Sequence, residues 1–449
     1  MARHDGWVVF VAGGIPGDVV RARLTAAKRA FGRARIEEIL APGPDRISPQ
    51  ADHPGVSWQV LPYARQLEIK AEQTLDALRR LGGLSDVELA ESIPAEQLWR
   101  YRNKLEYSFG IDAEGVLVCG FHAPGRWDQI EALEDCLLAS EVGNQARRRV
   151  LDLLREAGLG AWDRRSGEGA LRNLVVREGR RTDEIQIRLV ATRGGVPGAV
   201  RDRLATELGG DQTSVLLTEV TGPGEATQGG QTELLAGTAE LHEELLGLRL
   251  GIAHDAFFQT NTEMAELLYA EAGRLAGLRG HELVFDLFCG IGSIGLSLAV
   301  RARNLWGLEI VEAAVACAID NARANEIENV HFFAGDVRLA LRELVGRAGR
   351  PDVLVVDPPR AGLSAKVVRR IIEAGPKRIV YVSCNPTTLA PNAAQLIEAG
   401  WALRSVRVVD MFPQTPHIEC VALLERTSAP PAAAAPPAGS DPAPVREPA

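Results

Sequence analysis

Cysteine is scarce and scattered. The six thiols stand at positions 119, 136, 289, 317, 384 and 420, and no two form a CxxC pair or the close spacing of a zinc site. Each must be judged alone, and most are expected to be small buried hydrophobes in a reducing compartment. Long apolar runs are missing as well. No stretch approaches the roughly 18 uninterrupted apolar residues of a membrane span. The opening Met1-Ala2-Arg3-His4-Asp5-Gly6 carries no apolar signal-peptide core. The expectation is a soluble cytoplasmic protein with no membrane association. Positive charge is in deficit too, with a formal net charge of −9. That counts against a nucleic-acid partner only if the charge is evenly spread. It is not, because residues 1–50 hold eight Lys/Arg against five Asp/Glu. A local basic surface can recruit phosphates while the rest of a protein stays acidic.

What is present is a chain of 449 residues with 46% hydrophobic and 24% charged residues, enough for two or three domains with sizeable cores. Residues 7–11 and 19–24 read as short strands separated by the turn Gly13-Gly14-Ile15-Pro16-Gly17, and further apolar runs follow from Ala30 to Leu40. The segment 1–48 is expected to be a small OB-like β-barrel, a class that commonly binds oligonucleotides on a strand face, or else a β-rich structural cap. In 49–97 a helix is expected over 64–81, from Leu67, Ile69, Leu75, Leu78 and Leu81. Residues 98–245 alternate strand-like runs, such as 116–118 and 185–190, with helical ones and read as a mixed α/β domain. From 427 the chain turns Pro/Ala-rich and is expected to be a disordered tail.

The domain expected at 246–426 has the clearest pattern. Strand-like runs at 283–288, 304–310, 330–333, 352–356, 378–383, 404–409 and 418–424 are separated mostly by helical stretches. This predicts an α/β fold with a doubly wound, mostly parallel, seven-stranded sheet. The connector 410–417 is too short for a crossover helix, so the last two strands should pair antiparallel, the pattern of a class I (Rossmann-like) methyltransferase.

Phe285-Asp286-Leu287-Phe288-Cys289-Gly290-Ile291-Gly292-Ser293-Ile294-Gly295 places a G-x-G-x-x-G directly after the first of these strands, and Glu309 ends the next. Glycines that let backbone approach a nucleoside, and a carboxylate for ribose hydroxyls, suit a nicotinamide cofactor and a methyl donor equally. The following strand ends separate the two. Asp336 ends the third strand, where it is expected to reach an adenine, and Asp357-Pro358-Pro359-Arg360 ends the fourth. A dehydrogenase has no reason to place that stiff polar turn there.

Val380-Tyr381-Val382-Ser383-Cys384-Asn385-Pro386 puts a cysteine at the end of the fifth strand. The Asn-Pro after it enforces a turn rather than burial, so its thiolate could attack an electrophilic carbon. Glu419, entering the last strand, is the candidate base, and His417 competes for that role.

These motifs, with Asp-Pro-Pro-Arg-Ala-Gly-Leu at 357–363 and Phe-Pro-Gln-Thr-Pro-His-Ile-Glu at 412–419, resemble the RNA uracil-5 methyltransferases. The similarity extends to Phe257-Phe258-Gln259-Thr260-Asn261 and Tyr101-Arg102-Asn103-Lys104, and the N-terminal segment resembles a TRAM domain. The resemblance implies S-adenosylmethionine as cofactor, with Gln259, Phe288, Gly290, Ser293, Glu309, Asp336 and Asp357 at cofactor-contacting positions. It implies Cys384 as nucleophile and Glu419 as base. Carbon 5 of uracil is a weak nucleophile, and thiolate addition at carbon 6 makes it enolate-like. It further implies an RNA-binding central domain and a monomer acting on RNA, ribosomal RNA (23S) in preference to transfer RNA. Many relatives hold an iron–sulfur cluster after the barrel. Here 49–59 contains no cysteine and Cys136 stands alone, so no cluster is expected and the segment should pack around Trp58 and Tyr63 instead. RNA cytosine-5 methylation is the nearest alternative, but it calls for a Pro-Cys motif on the fourth strand. A non-catalytic RNA-binding protein on a relict fold is a third reading, against which stand the intact Cys384 and Glu419.

Overall fold

The computed structural model describes residues 2–4, 6–222, 224, 227 and 229–427. The tail expectation for 428–449 therefore lies outside the described residues. No helix among the described residues is long and apolar enough to cross a membrane.

The first strands are β1 (Ala2–His4), β2 (Trp7–Ala12), β3 (Val19–Ala27) and β4 (Phe31–Ala41), in the sheet order β1-β2-β4-β3. The two edges, β1 and β3, do not pair with each other among the described residues, so strand pairing there does not close a ring. Gly32 on β4 admits the Trp7 ring, to which a Cβ would come within 2.5 Å.

Helix α1 (Tyr63–Gly82) and strand β5 (Ala90–Ile93) come next. The central sheet comprises β6 (Lys104–Ile111), β7 (Leu117–His122), β8 (Ile130–Ala132), β9 (Leu171–Glu178), β10 (Ile185–Thr192), β11 (Thr213–Val220) and β12 (Gln231–Ala236). Its order is β12-β11-β10-β9-β6-β7-β8. Helices α2 (Glu141–Glu156) and α3 (Gly198–Leu208) bury Val150, Leu154, Val200 and Leu204 in the same core as these strands. Strands β13 (Glu240–Leu245) and β14 (Leu248–Ala253) form a separate antiparallel hairpin. The boundary expected at 245/246 falls in the turn of that hairpin. Both strands belong to the C-terminal domain, because Leu241, Leu245, Leu248, Leu250 and Ile252 bury into its core.

That C-terminal domain runs through α4 (Thr262–Ala276), β15 (Leu283–Leu287), α5 (Ser293–Ala299), β16 (Asn304–Glu309), α6 (Glu312–Ala324) and β17 (Val330–Ala334). It continues with α7 (Val337–Ala348), β18 (Val353–Val356), α8 (Ala365–Ala374), β19 (Arg378–Ser383), α9 (Pro386–Glu398), β20 (Trp401–Val409) and β21 (Glu419–Arg426). The order is β17-β16-β15-β18-β19-β21-β20-β5. Strands β15 to β19 are parallel, and β21 runs antiparallel to both β19 and β20, as the short connector requires. Parallel strands covered on both faces read as unbroken apolar runs, and Val-Leu-Val-Val of β18 is wholly buried.

The sheet has eight strands rather than the expected seven. Strand β5, from the segment read as a linker, pairs in parallel with β20 and covers an edge that would otherwise expose unpaired backbone groups. The strand order reverses beside β15, so the ligand crevice should open at the carboxyl ends of β15, β16 and β18.

Candidate active site

The turn after β15 is built from residues held at positive φ: Phe288 at 63°, Gly290 at 54° and Gly292 at 82°. For a residue with a Cβ this conformation costs about 1–2 kcal/mol, and surrounding structure must hold it. Here Leu308 O accepts from Phe288 N at 2.8 Å and from Cys289 N at 3.3 Å. A Cβ at Gly292 would press on the Phe332 ring at 2.9 Å, whereas at Gly290 it would meet nothing within 4 Å. The backbone at 290 therefore faces open space above the sheet edge.

Glu309 stands over this turn at the end of β16. Its Oε2 accepts from Gly290 N at 3.2 Å, and its Oε1 accepts from Ile310 N and Val311 N at 2.8 and 3.0 Å. Three backbone donors thus fix the carboxylate. Asp336 is placed differently. It is the N-cap of α7, accepting from Arg338 N at 2.8 Å, and it pairs with the Arg338 guanidinium, which holds its carboxyl below the usual range. Gln259 is buried, with its backbone oxygen accepting from Asn103 Nδ2 at 2.9 Å. Ser293, the first residue of α5, donates to the Tyr269 hydroxyl at 3.2 Å.

Three carboxyl groups gather behind the edge: Asp286 within β15, Asp357 just after β18 and Glu419 opening β21. Both side-chain oxygens of Asp286 and Oε1 of Glu419 are buried without a hydrogen-bond partner. Burial, and next the charge of Asp357, push Asp286 up to about 8. Burial pushes Asp357 up to about 7. Glu419 is raised well above the carboxylate range by burial and by Asp357. Sequence reasoning assigns Asp286 no role, although a lone charge inside the apolar run Leu-Val-Phe-Asp-Leu is the available signal.

Cys384 follows β19 and is partly exposed, while the other five cysteines are buried. The turn after it is pinned. Asn385 caps α9 by accepting from Thr387 N at 3.1 Å, and its Nδ2 donates to Arg360 O at 3.1 Å, tying the thiol's loop to the Asp-Pro-Pro-Arg loop. The Cys384 thiol is pushed up to about 11 by burial, then by Glu419 and Asp357, with Arg360 opposing. Nucleophile candidate, base candidate and strand-end carboxylate thus feel one another's charge. His417 lies edge-on to Phe412 at 5.8 Å, and burial together with Arg360, Arg102 and Lys70 disfavours its protonation.

The cysteine-free segment is held by polar contacts as well as packing. His53 Nδ1 accepts from Gly55 N at 3.1 Å, so Nε2 carries the proton of the neutral ring and faces Cys136 Sγ at 3.3 Å. Lys70 Nζ lies 5.7 Å from the Trp58 ring centre, and the Tyr63 hydroxyl accepts from Ala95 N at 2.6 Å. Among the described residues no three His, Cys, Asp or Glu side chains are grouped so as to hold a metal ion, so this donor set does not fit a cluster.

A family profile described as tRNA (Uracil-5-)-methyltransferase matches residues 248–427. The chain is 34% identical to an uncharacterized RNA methyltransferase of Halalkalibacterium halodurans, over 95% of this chain and 93% of that protein. It is 38% identical to another from Gloeobacter violaceus, over 94% and 92%. Among solved structures, Pyrococcus abyssi tRNA (uracil-54, C5)-methyltransferase in complex with S-adenosyl-L-homocysteine is similar at a TM-score of 0.73 and 27% identity. That match covers 92% of this chain and 95% of the other.

Proposed function

We propose, from the premise that this chain belongs to the RNA uracil-5 methyltransferase family, that it converts a uridine of 23S ribosomal RNA to 5-methyluridine through a covalent bond from Cys384 to carbon 6 of the base. The chain is an S-adenosylmethionine-dependent RNA uracil-5 methyltransferase. The observation that carries the mechanism is the pairing of a single partly exposed thiol with a buried carboxyl whose Oε1 has no hydrogen-bond partner, at the same sheet edge.

The residues at this edge fit the cofactor. Open space at Gly290 admits a nucleoside, Glu309 is oriented for ribose hydroxyls, and Asp286 and Asp357 offer buried carboxyls to a cation. Gln259, Phe288 and Ser293 line the remaining approach in this reading. Asp336 serves the adenine only by sharing its carboxylate with Arg338 and the α7 N-terminus. S-adenosylmethionine, when bound, would supply an electrophilic methyl group on a positively charged sulfur, which keeps the electron pair of the broken carbon–sulfur bond and departs as neutral S-adenosylhomocysteine.

At neutral pH the Cys384 thiol is protonated in the free protein. Positive charge at this edge offsets the carboxylates that hold the thiol up and so favours the thiolate. The thiol proton passes to solvent and the thiolate bonds to carbon 6, so that the electron pair of the 5,6 double bond becomes available at carbon 5, which takes the methyl group. The same positive charge offsets the burial and the Asp357 charge that hold the Glu419 carboxyl up, and in its carboxylate form Glu419 accepts the carbon 5 proton. The double bond then re-forms, the carbon 6–sulfur bond breaks and its electron pair returns to Cys384.

The N-terminal sheet supports the ribosomal target by analogy with the family. A transfer RNA target is the second reading, favoured by the likeness to the Pyrococcus abyssi enzyme. Mass-spectrometric mapping of 5-methyluridine in both RNAs, with and without the gene, tests the assignment. Loss of one ribosomal 5-methyluridine is expected. Loss from transfer RNA alone selects the second reading, and loss from neither defeats the uridine assignment.

A further inference from the structure

Residues 410–418 enter β21 without helix or strand, and Gln414 within them sits at a φ of 66°. A loop of this kind next to a reacting group would ordinarily be poorly located. Here its backbone is taken up, atom by atom, by buried side chains from distant parts of the chain. Asn261 Nδ2 donates to Met411 O at 3.0 Å, Lys70 Nζ to Phe412 O at 3.0 Å and the Tyr101 hydroxyl to Pro413 O at 3.0 Å. Gln66 grips Gln414 twice, accepting from its backbone N at 2.9 Å and donating to its Oε1 at 2.7 Å. Lys70 also pairs with Asp410 at 2.6 Å, and both side chains are fully buried.

Stability is a weak explanation for this arrangement. Burying an ion pair costs several kcal/mol per ion, and packed apolar residues often do as well or better. What such a network does give is one geometry for the backbone it holds. The loop leads directly to Glu419, whose Oε1 has no hydrogen-bond partner. Backbone pairing with Val409 holds Glu419 on one side, and the incoming chain, which no hydrogen bond at that oxygen supplements, sets it on the other.

We propose that Gln66, Lys70, Tyr101 and Asn261 are positioning residues that hold 411–414 so that Glu419 meets the carbon 5 proton of the target base. The inference rests on the reading of Glu419 as the base. It concerns the elimination half of the reaction, so a displaced loop should let the covalent protein–RNA complex form and then persist.

The test uses the full chain with S-adenosylmethionine and total RNA from cells lacking the gene, labelled with tritium at carbon 5 of uridine. Tyr101→Phe removes one hydroxyl and keeps the ring. Gln66→Met removes both contacts to Gln414 at similar volume. Melting temperature and S-adenosylhomocysteine affinity are measured alongside. The expected result for Tyr101→Phe is an unchanged affinity, a kcat three- to tenfold lower and slower tritium release. The fraction of RNA held covalently on denaturing gels should rise several-fold. Gln66→Met should show the same pattern more strongly. A kcat that falls only with the folded fraction, without accumulation of the complex, overturns the positioning role alone. If neither the unaltered protein nor Glu419→Gln ever forms a covalent complex, the base reading falls and the positioning role with it.

Discussion

The N-terminal sheet and the buried acids behind the carboxyl edge of the catalytic sheet differ in how their charge is met. At the first, Asp18 accepts from Arg46 Nε, Ile15 N and Gly43 N at 2.9, 2.8 and 2.9 Å, and the guanidinium holds its carboxyl well below the usual range. Glu37 and Glu38 face Arg23 and Arg21 on the neighbouring strand. At the second, none of Asp286, Asp357 and Glu419 forms an ion pair among the described residues, and all three are raised. Paired acids contribute to folding, whereas buried unpaired acids oppose it. A fold retains the second kind where a cation or a proton is to arrive.

The largest effect separating the two regions is expected from Glu419→Gln. Turnover to free 5-methyluridine-containing RNA should fall by about 10²–10⁴-fold, the usual worth of general base catalysis, with the methylated covalent complex accumulating, while the melting temperature holds or rises. Asp357→Asn should weaken S-adenosylmethionine binding by roughly 10–100-fold, the loss of one charged hydrogen bond, as read by calorimetry. The next effect is on stability. A carboxyl whose folded pKa is raised to about 8 costs stability progressively as pH climbs from its unfolded value near 4. The melting temperature of Asp286→Asn minus that of the unaltered cofactor-free protein should therefore grow between pH 5 and 8. A flat difference would show that Asp286 is paired after all. Asp18→Asn should act in the opposite sense. It should destabilise the N-terminal sheet by about 1–2 kcal/mol at pH 7, with the deficit shrinking as pH falls below about 4, where Asp18 protonates in the unfolded chain. Hydrogen exchange in β3 and β4 would report it, with cofactor affinity unchanged.

Much of the catalytic sheet was legible because its strands are apolar runs ending in polar motifs. Leu283–Leu287 and Arg378–Ser383 appear within a residue of where their composition puts them. The turn at Cys384 was legible for the same local reason, since Asn-Pro cannot continue a strand. Features made between remote segments were not. Ala-Glu-Ser-Ile of β5 has no apolar run, and only the uncovered edge of β20 makes it a strand. On α1 the periodicity pointed to Leu67, Ile69, Leu75, Leu78 and Leu81, yet Leu81 is exposed and the buried face includes Gln66, Lys70 and Thr74. Polar residues four apart on a buried stripe were a readable anomaly. The partners of Gln66 and Lys70, Gln414 and Asp410, lie hundreds of residues away, so the sequence alone could not name them.

The account depends most on Cys384. In purified Cys384→Ala protein, with S-adenosylhomocysteine binding intact as a check on the fold, methyl transfer to uridine-containing RNA should drop at least about 10³-fold, as for other removed nucleophiles. The covalent protein–RNA complex should vanish with it. Undiminished transfer by that variant would contradict the covalent mechanism.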